Sequence, residues 1–261
     1  MKTSRAPGRV TLPRALSKLG IASRSQAMIL IEQGRVEVNG RTERNQHRWI
    51  DIESDVVTVN DQAAAEKLPR YLVLNKPRGF VTTTSDERGA STVYELVGEK
   101  GAGLSPVGRL DKDSTGLLMF TNDHQLANAL TSPGSGLFKT YRVQMDAPLS
   151  ERGLLMLMRG MDIEIRGDLH RTKPAHVTQI SPGVVEISIA EGRNRQLRRM
   201  MEALGHEVVS LKRISIGPLS LGDLKEGECR ELAKAEVDAL KQAVRPSPSS
   251  QQKIYPVRKG R

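Results

Sequence analysis

Residues 108 to 123 join two segments of opposite character, and that join constrains the chain more than any other feature. Gly108-Arg109-Leu110-Asp111-Lys112-Asp113-Ser114-Thr115-Gly116 is polar, bracketed by glycines, and carries two acids and two bases. Leu117-Leu118-Met119-Phe120-Thr121 follows at once as a short apolar run, which reads as a buried strand. A charged loop held against a buried strand is a common setting for catalytic groups. Arg109 lies two residues before Asp111, so a guanidinium is at hand to position that carboxylate.

Asp111-Lys112-Asp113-Ser114-Thr115 also fits Asp-x-Asp-x-Thr, the signature of aspartate-nucleophile phosphatases. Those enzymes place the first aspartate at the end of an apolar strand. Here Ser105-Pro106-Val107-Gly108-Arg109-Leu110 is a poor strand and the apolar run follows the acids, so the context rejects that reading.

The charge is unevenly placed. Residues 1 to 31 and 241 to 261 each carry +6 without an acid, so the middle of the chain carries −2 of the total of +10. Basic ends on a near-neutral body fit capture of a polyanion, nucleic acid before anionic membrane. No apolar run approaches a membrane span, and Met1-Lys2-Thr3-Ser4-Arg5 leads into no signal-peptide core. One cysteine, Cys229, excludes an internal disulfide, and His47, His124, His170, His176 and His206 show no metal-ligand spacing. A cytoplasmic, metal-free protein is the expectation.

Apolar spacing predicts a helix over 12–19 and another over 24–33, capped by Ser23 and ended by Gly34. Arg35 to Val38 alternates as a strand, Asn39-Gly40 is a hairpin turn, and Val56 to Val59 returns. Ala22-Ser23-Arg24-Ser25-Gln26-Ala27 and Ile31-Glu32-Gln33-Gly34-Arg35-Val36-Glu37-Val38-Asn39-Gly40 resemble the S4-like RNA-binding domain. That resemblance implies that Arg14, Lys18, Arg24 and Arg35 face phosphates.

Further on, strands are expected at 71–74, 139–145, 163–165, 175–180, 184–190 and 208–214. Helices are expected at 92–97, 151–158 and 234–243, with one from Asp123 to Leu130 and one starting near Asn194. On the latter, Arg195 and Arg198 would share one face, and Leu197, Met201 and Leu204 another. Arg193, Arg195, Arg198 and Arg199 fall within seven residues.

Three segments together carry a second resemblance. The loop around Asp111, Lys139-Thr140-Tyr141, and Gly192-Arg193-Asn194-Arg195-Gln196-Leu197-Arg198-Arg199-Met200 resemble the motifs of RsuA-type ribosomal RNA pseudouridine synthases, and Asn75-Lys76-Pro77 matches as well. The resemblance implies that Asp111 is the essential catalytic residue, that Tyr141 stacks on the target base, that Arg198 pairs with Asp111, and that Leu211 lines the active site. Arg109 would fill the space of the extruded nucleotide or contact its phosphate, and Arg195 and Arg199 join the RNA-binding set. A tyrosine on a strand is otherwise ordinary core.

The implied reaction breaks the bond from ribose to the uracil nitrogen, turns the ring and rejoins it through carbon. No atom is gained, so neither cofactor nor metal is implied. Asp111 would attack the sugar, attack the ring, or take a sugar proton; the sequence does not choose. The expected fold class is α+β. Its parts are a disordered basic arm at 1–10, a small S4-like RNA-binding domain at 11–60, a linker at 61–69, a pseudouridine synthase catalytic domain at 70–244 on a mostly antiparallel mixed β-sheet, and a disordered basic tail at 245–261. The expected partner is ribosomal RNA or a pre-ribosomal particle, 23S favoured over 16S, bound by a monomer. A catalytically silent RNA-binding or ribosome-assembly protein is the alternative. It would keep the basic ends but would not need Asp111, Tyr141 and Arg198 together.

Overall fold

The computed structural model describes residues 9–244 apart from 20, 23, 53, 61, 64–67, 84–88 and 133. The Ser23 cap, the tail at 245–261 and most of the arm at 1–10 therefore lie outside the described residues.

The N-terminal unit begins earlier than expected, because Arg9 and Val10 belong to a strand rather than an arm. Its elements are β1 (Arg9–Thr11), α1 (Leu12–Lys18), α2 (Arg24–Glu32), β2 (Val36–Val38), β3 (Arg41–Thr42), β4 (Trp49–Asp51), β5 (Val57–Val59) and β6 (Gln62–Ala63). Asn39 and Gly40 both have positive φ, 54° and 73°, as a two-residue hairpin turn requires. The turn joins β2 to β3, and β2 pairs with β5 on its other side, Val36 opposite Val59. Strand β6 extends this sheet past β5, so Gln62 and Ala63 of the expected linker belong to the domain. Val10, Leu12, Leu16, Ala27, Ile31, Val36, Val38 and Ile50 make one small buried core.

The second unit contains β7 (Tyr71–Lys76), α3 (Val93–Val97), β8 (Ser105–Pro106), β9 (Thr115–Thr121), α4 (His124–Thr131), β10 (Lys139–Met145), α5 (Glu151–Arg159), β11 (Asp162–Ile165), β12 (Asp168–Arg171), β13 (His176–Ser181), β14 (Val184–Ile189), α6 (Gln196–Ala203), β15 (Val208–Ile216), β16 (Leu219–Ser220), β17 (Cys229–Glu231) and α7 (Lys234–Ala243). The main sheet runs β13-β14-β10-β15-β9-β7-β17, with β8 beside β9 and β16 beside β15. Every pairing in it is antiparallel except β15 with β9. The fold is α+β.

The apolar run Leu117–Phe120 alternates between two cores, as a strand buried on both faces must. Leu117 and Met119 pack with Val73, Leu126, Leu130 and Leu240 under α4 and α7. Leu118 and Phe120 pack with Leu72, Leu74, Val93 and Val97 under α3. Both ends of this region are capped by side chains: Thr92 and Glu95 close a capping box on α3, and Asp123 accepts from the Leu126 amide at 2.9 Å.

Eight short strands, β1, β3, β4, β6, β8, β12, β16 and β17, were not expected from periodicity. β12 returns on β11 through Arg166-Gly167, which take φ of 57° and 88° in a tight turn without an Asn or Asp to announce it. β17 is an edge strand on β7, three residues long with mixed polarity. Helix α6 starts at Gln196, so Arg195 is its N-terminal cap, left-handed at φ 50°, and not part of the helical face expected of it.

Candidate active site

The polar loop 108–114 lies between β8 and β9, and its backbone is held from several sides. Lys76 closes β7 opposite Gly116, wholly buried. Its ammonium donates to the carbonyls of Pro77 (2.9 Å), Lys112 (3.3 Å) and Ser114 (2.8 Å). Three donors meet three acceptors, which is how a buried lysine is tolerated. Burial still pulls its pKa down to about 8, while Asp113, Asp111 and Glu226 oppose the shift. Thr82 donates to Leu110 O at 2.8 Å and accepts from Leu110 N at 3.2 Å. Arg198 donates to Asp113 O at 3.2 Å. Four consecutive-region carbonyls, those of Leu110, Lys112, Asp113 and Ser114, are thus fixed by residues far away in sequence.

What the loop presents is Asp111. Its carboxylate opens into a cavity of about 570 Å³ lined by Thr82, Arg109, Tyr141, Arg195, Leu197 and Leu211, among others. Leu211 is buried on β15, opposite Val143. Tyr141 is half-buried on β10, next to a register shift at Thr140/Tyr141 where β15 carries an extra residue. Bulges of this kind re-aim a side chain beside a site.

The wall that carries Arg195 is itself braced. Gln196 is buried, accepts from Arg193 N at 3.0 Å and donates to Glu191 at 2.7 Å, and Glu191 also accepts from Lys173 N at 2.9 Å. The strained left-handed backbone of Arg195 persists because these contacts over-determine it.

Of the expected site residues, Asp111, Tyr141, Leu211, Arg109 and Arg195 meet at the cavity. Arg198 does not pair with Asp111 as the resemblance implied. It bridges Asp113 O and Val208 O (3.2 Å each), while the ion pair to Asp111, at 4.0 Å, comes from Arg195. Burial first, then the charge of Arg195, hold Arg198 below its ordinary pKa, with Asp113 and Asp111 opposing. Both partners of the Arg195 pair are more than a third exposed, so the contact orients the carboxylate more than it stabilises the fold, contributing about 0–1 kcal/mol.

Arg199 is half-buried and donates to Glu164 O at 2.7 Å, which ties α6 to β11. Arg14, Lys18, Arg24 and Arg35 are exposed, although Arg35 is steadied by Asn60 at 2.7 Å.

Thr82, Lys76 and Gln196 were not singled out as site residues by sequence. A lysine ending an otherwise buried strand was the available signal for Lys76; Thr82 sits in a polar loop that offers none.

Comparisons with known proteins match both units of the chain. Residues 70–203 match the family model described as RNA pseudouridylate synthase, and residues 10–62 match the S4 domain. The chain is 36% identical over 236 residues to the ribosomal large subunit pseudouridine synthase B of Bacillus subtilis (strain 168), covering 88% of this chain and 95% of that one. It is 37% identical over 224 residues to the ribosomal small subunit pseudouridine synthase A of Escherichia coli (strain K12), covering 85% and 96%. A crystal structure of a pseudouridylate synthase superposes with a TM-score of 0.66 at 35% identity, covering 88% of this chain and 99% of the other.

Proposed function

This chain belongs to the RNA pseudouridylate synthase family and carries an S4 domain, and from that premise we propose that it isomerises a uridine of ribosomal RNA, with Asp111 as the catalytic carboxylate. The observation that carries the reading is the shared cavity: one carboxylate, one aromatic ring and one apolar wall within a space of about 570 Å³. A uracil flipped from its helix needs a ring to lie on and a dry side to exclude water. Tyr141 supplies the first and Leu211 the second. Asp111 stands where the bond to the sugar is broken, as nucleophile or as base toward a sugar proton.

Arg195 orients the Asp111 carboxylate, and Arg198 and Lys76 hold the loop beneath it. Arg109, exposed on the cavity rim, meets the phosphate or the gap left by the extruded nucleotide. Arg14, Lys18, Arg24 and Arg35 of the N-terminal domain contact phosphates outside the site, a role for which their exposure and charge argue. No helix among the described residues is long and apolar enough to cross a membrane.

Relatives bearing large-subunit and small-subunit names align almost equally well, so overall similarity favours neither target. The large-subunit RNA is our reading of the substrate. The test is incubation of the full chain with 23S and 16S transcripts and with assembling subunits, followed by pseudouridine mapping. One new modified position in 23S RNA is expected, and product in 16S RNA alone overturns the target.

Tyr141→Leu separates stacking from packing. Leucine keeps bulk and loses the ring face, and base–aromatic stacking contributes about 1–3 kcal/mol. Turnover should fall roughly ten- to a hundred-fold at about 1.4 kcal/mol per decade, with Tm nearly unchanged. Activity equal to wild type, or loss that only tracks unfolding, would refute the stacking role.

Lys76 adds a pH dependence. Its pKa lies near 8, so it loses a proton as pH rises past that value. The neutral amine has two N–H donors for three carbonyls, and its lone pair faces one of them. Turnover at saturating RNA should therefore decline reversibly through pH 8 to 9. A rate that stays flat to about pH 9.5, well beyond the shifted range, would show that the clamp does not depend on the charge.

A further inference from the structure

The β1–β4 ribbon has an outer face that nothing in the synthase site uses. Strand β1 pairs antiparallel with β4, Arg9 opposite Asp51, Val10 opposite Ile50 and Thr11 opposite Trp49. Val10 and Ile50 point into the small core, so Arg9, Thr11, Trp49 and Asp51 share the other face. Trp49 is 47% exposed there, and it is the only tryptophan in the sequence. Tryptophan is highly buried on average, so one left open on a strand is informative.

Its surroundings say what would cover it. The Leu12 amide donates to Arg48 O at 2.8 Å, so the ribbon leads straight into α1 beside Trp49. Thr11, directly across from the indole, is the residue before that helix, and exposed Arg14 lies three residues on. From residue 9 to 31 the chain carries Arg9, Arg14, Lys18 and Arg24 and no acid. Across the strand from the ring is a threonine, Arg9 and Asp51 share its face, and α1 carries exposed Arg14 and Lys18. A protein partner would want an extended apolar patch. A single flat ring beside cations suits a nucleobase, whose face stacks while its phosphates meet the arginines.

We propose that Trp49 is a stacking site for an unpaired base of the RNA, on the ribbon that leads into α1. This rests on the reading that the chain acts on RNA. It adds a base contact outside the cavity of Asp111, one that distinguishes looped from fully paired RNA. A base without a partner is free to lie on the ring, whereas a base in a duplex is already stacked on both sides.

The experiment uses the full chain and two RNAs of equal length, a stem–loop with unpaired nucleotides and a perfect duplex. With one tryptophan, fluorescence excited at wavelengths beyond tyrosine absorption reports on Trp49 alone. Saturation with the stem–loop should quench the emission and shield it from acrylamide, and the duplex should do neither. Trp49→Ala should weaken stem–loop binding roughly ten- to a hundred-fold, from the usual contribution of one stacked base, and leave duplex binding unchanged. Trp49→Phe, which keeps a ring, should recover most of the loss. Turnover at saturating RNA should be unaffected in both variants, which separates this site from the catalytic assignment.

Unchanged emission on RNA saturation overturns the proposal, as does stem–loop affinity of Trp49→Ala equal to wild type. Equal loss of stem–loop and duplex binding, with a lowered Tm, would mean that Trp49 only props the ribbon. Self-association of the RNA-free chain that Trp49→Ala abolishes would assign the ring to a second copy instead.

Discussion

Asp111→Asn is expected to abolish pseudouridine formation while RNA affinity stays within a few-fold of wild type. The asparagine occupies the same volume, so the loop held by Lys76, Thr82 and Arg198 keeps its backbone contacts, none of which uses the Asp111 side chain. What is lost is a negatively charged oxygen able to attack carbon or accept a proton, and an amide does neither at a useful rate. The contact to Arg195 goes too, but at 4.0 Å and half in solvent it contributes little to stability. Product is measured by mapping after single-turnover incubation, and affinity by filter binding on the same preparation. Turnover near the wild-type rate would remove Asp111 from the mechanism; affinity lost in step with product would make it a binding residue.

Gly116→Ala should damage the fold more than any other single methyl group added near the site. Gly116 sits at φ +99°, a conformation that L side chains rarely adopt, and an added Cβ would collide with the backbone of Arg213. The position matters because the ladder between β9 and β15 consists of two registered pairs, Lys212 with Thr115 and Arg213 with Gly116. That parallel seam is the joint between β13-β14-β10-β15 and β9-β7-β17. Forcing it apart would also strain the bond from Arg213 Nε to Leu117 O, 2.8 Å in a buried setting. A loss of about 3 kcal/mol or more is expected, from clash and backbone strain together. For a chain of this size that lowers Tm by about 6–12 °C. Calorimetry decides, and a Tm within about 2 °C of wild type would mean that the seam yields without cost.

Much of this was legible in the residues. Lys139–Met145 and Lys234–Ala243 are elements with the bounds expected, because alternation in the first and apolar spacing with polar flanks in the second leave little choice. The Asn39-Gly40 turn announced itself through residues that accept positive φ. The Arg166-Gly167 turn did not, and β12 was lost with it. Asp111, Tyr141 and Leu211 were named correctly as neighbours through the motifs they stand in. The partner of Asp111 was not: the pairing with Arg198 came from the family resemblance, and a helix begun near Asn194 hid the left-handed turn at Arg195, whose guanidinium makes the ion pair. Periodicity assumes regular backbone, and a cap is where that assumption stops. The carbonyl clamp was invisible for another reason. Lys76, Thr82 and Arg198 act on main-chain oxygens, which every residue has, so no side-chain pattern marks the target.

That clamp has a consequence for portability. The segment 108–116 reads as a self-contained cassette, a glycine-bracketed nonapeptide with its aspartate near the middle. Its shape, however, is dictated by donors at residues 76, 82 and 198, on a strand, a loop and a helix from three other parts of the chain. As a free peptide, or grafted onto another scaffold without those three donors, it has no reason to hold Asp111 in place. The heritable unit is therefore the constellation and not the string. A sequence bearing Gly-Arg-Leu-Asp without a buried lysine before the turn and an arginine on the facing helix carries the lettering of the site without its architecture.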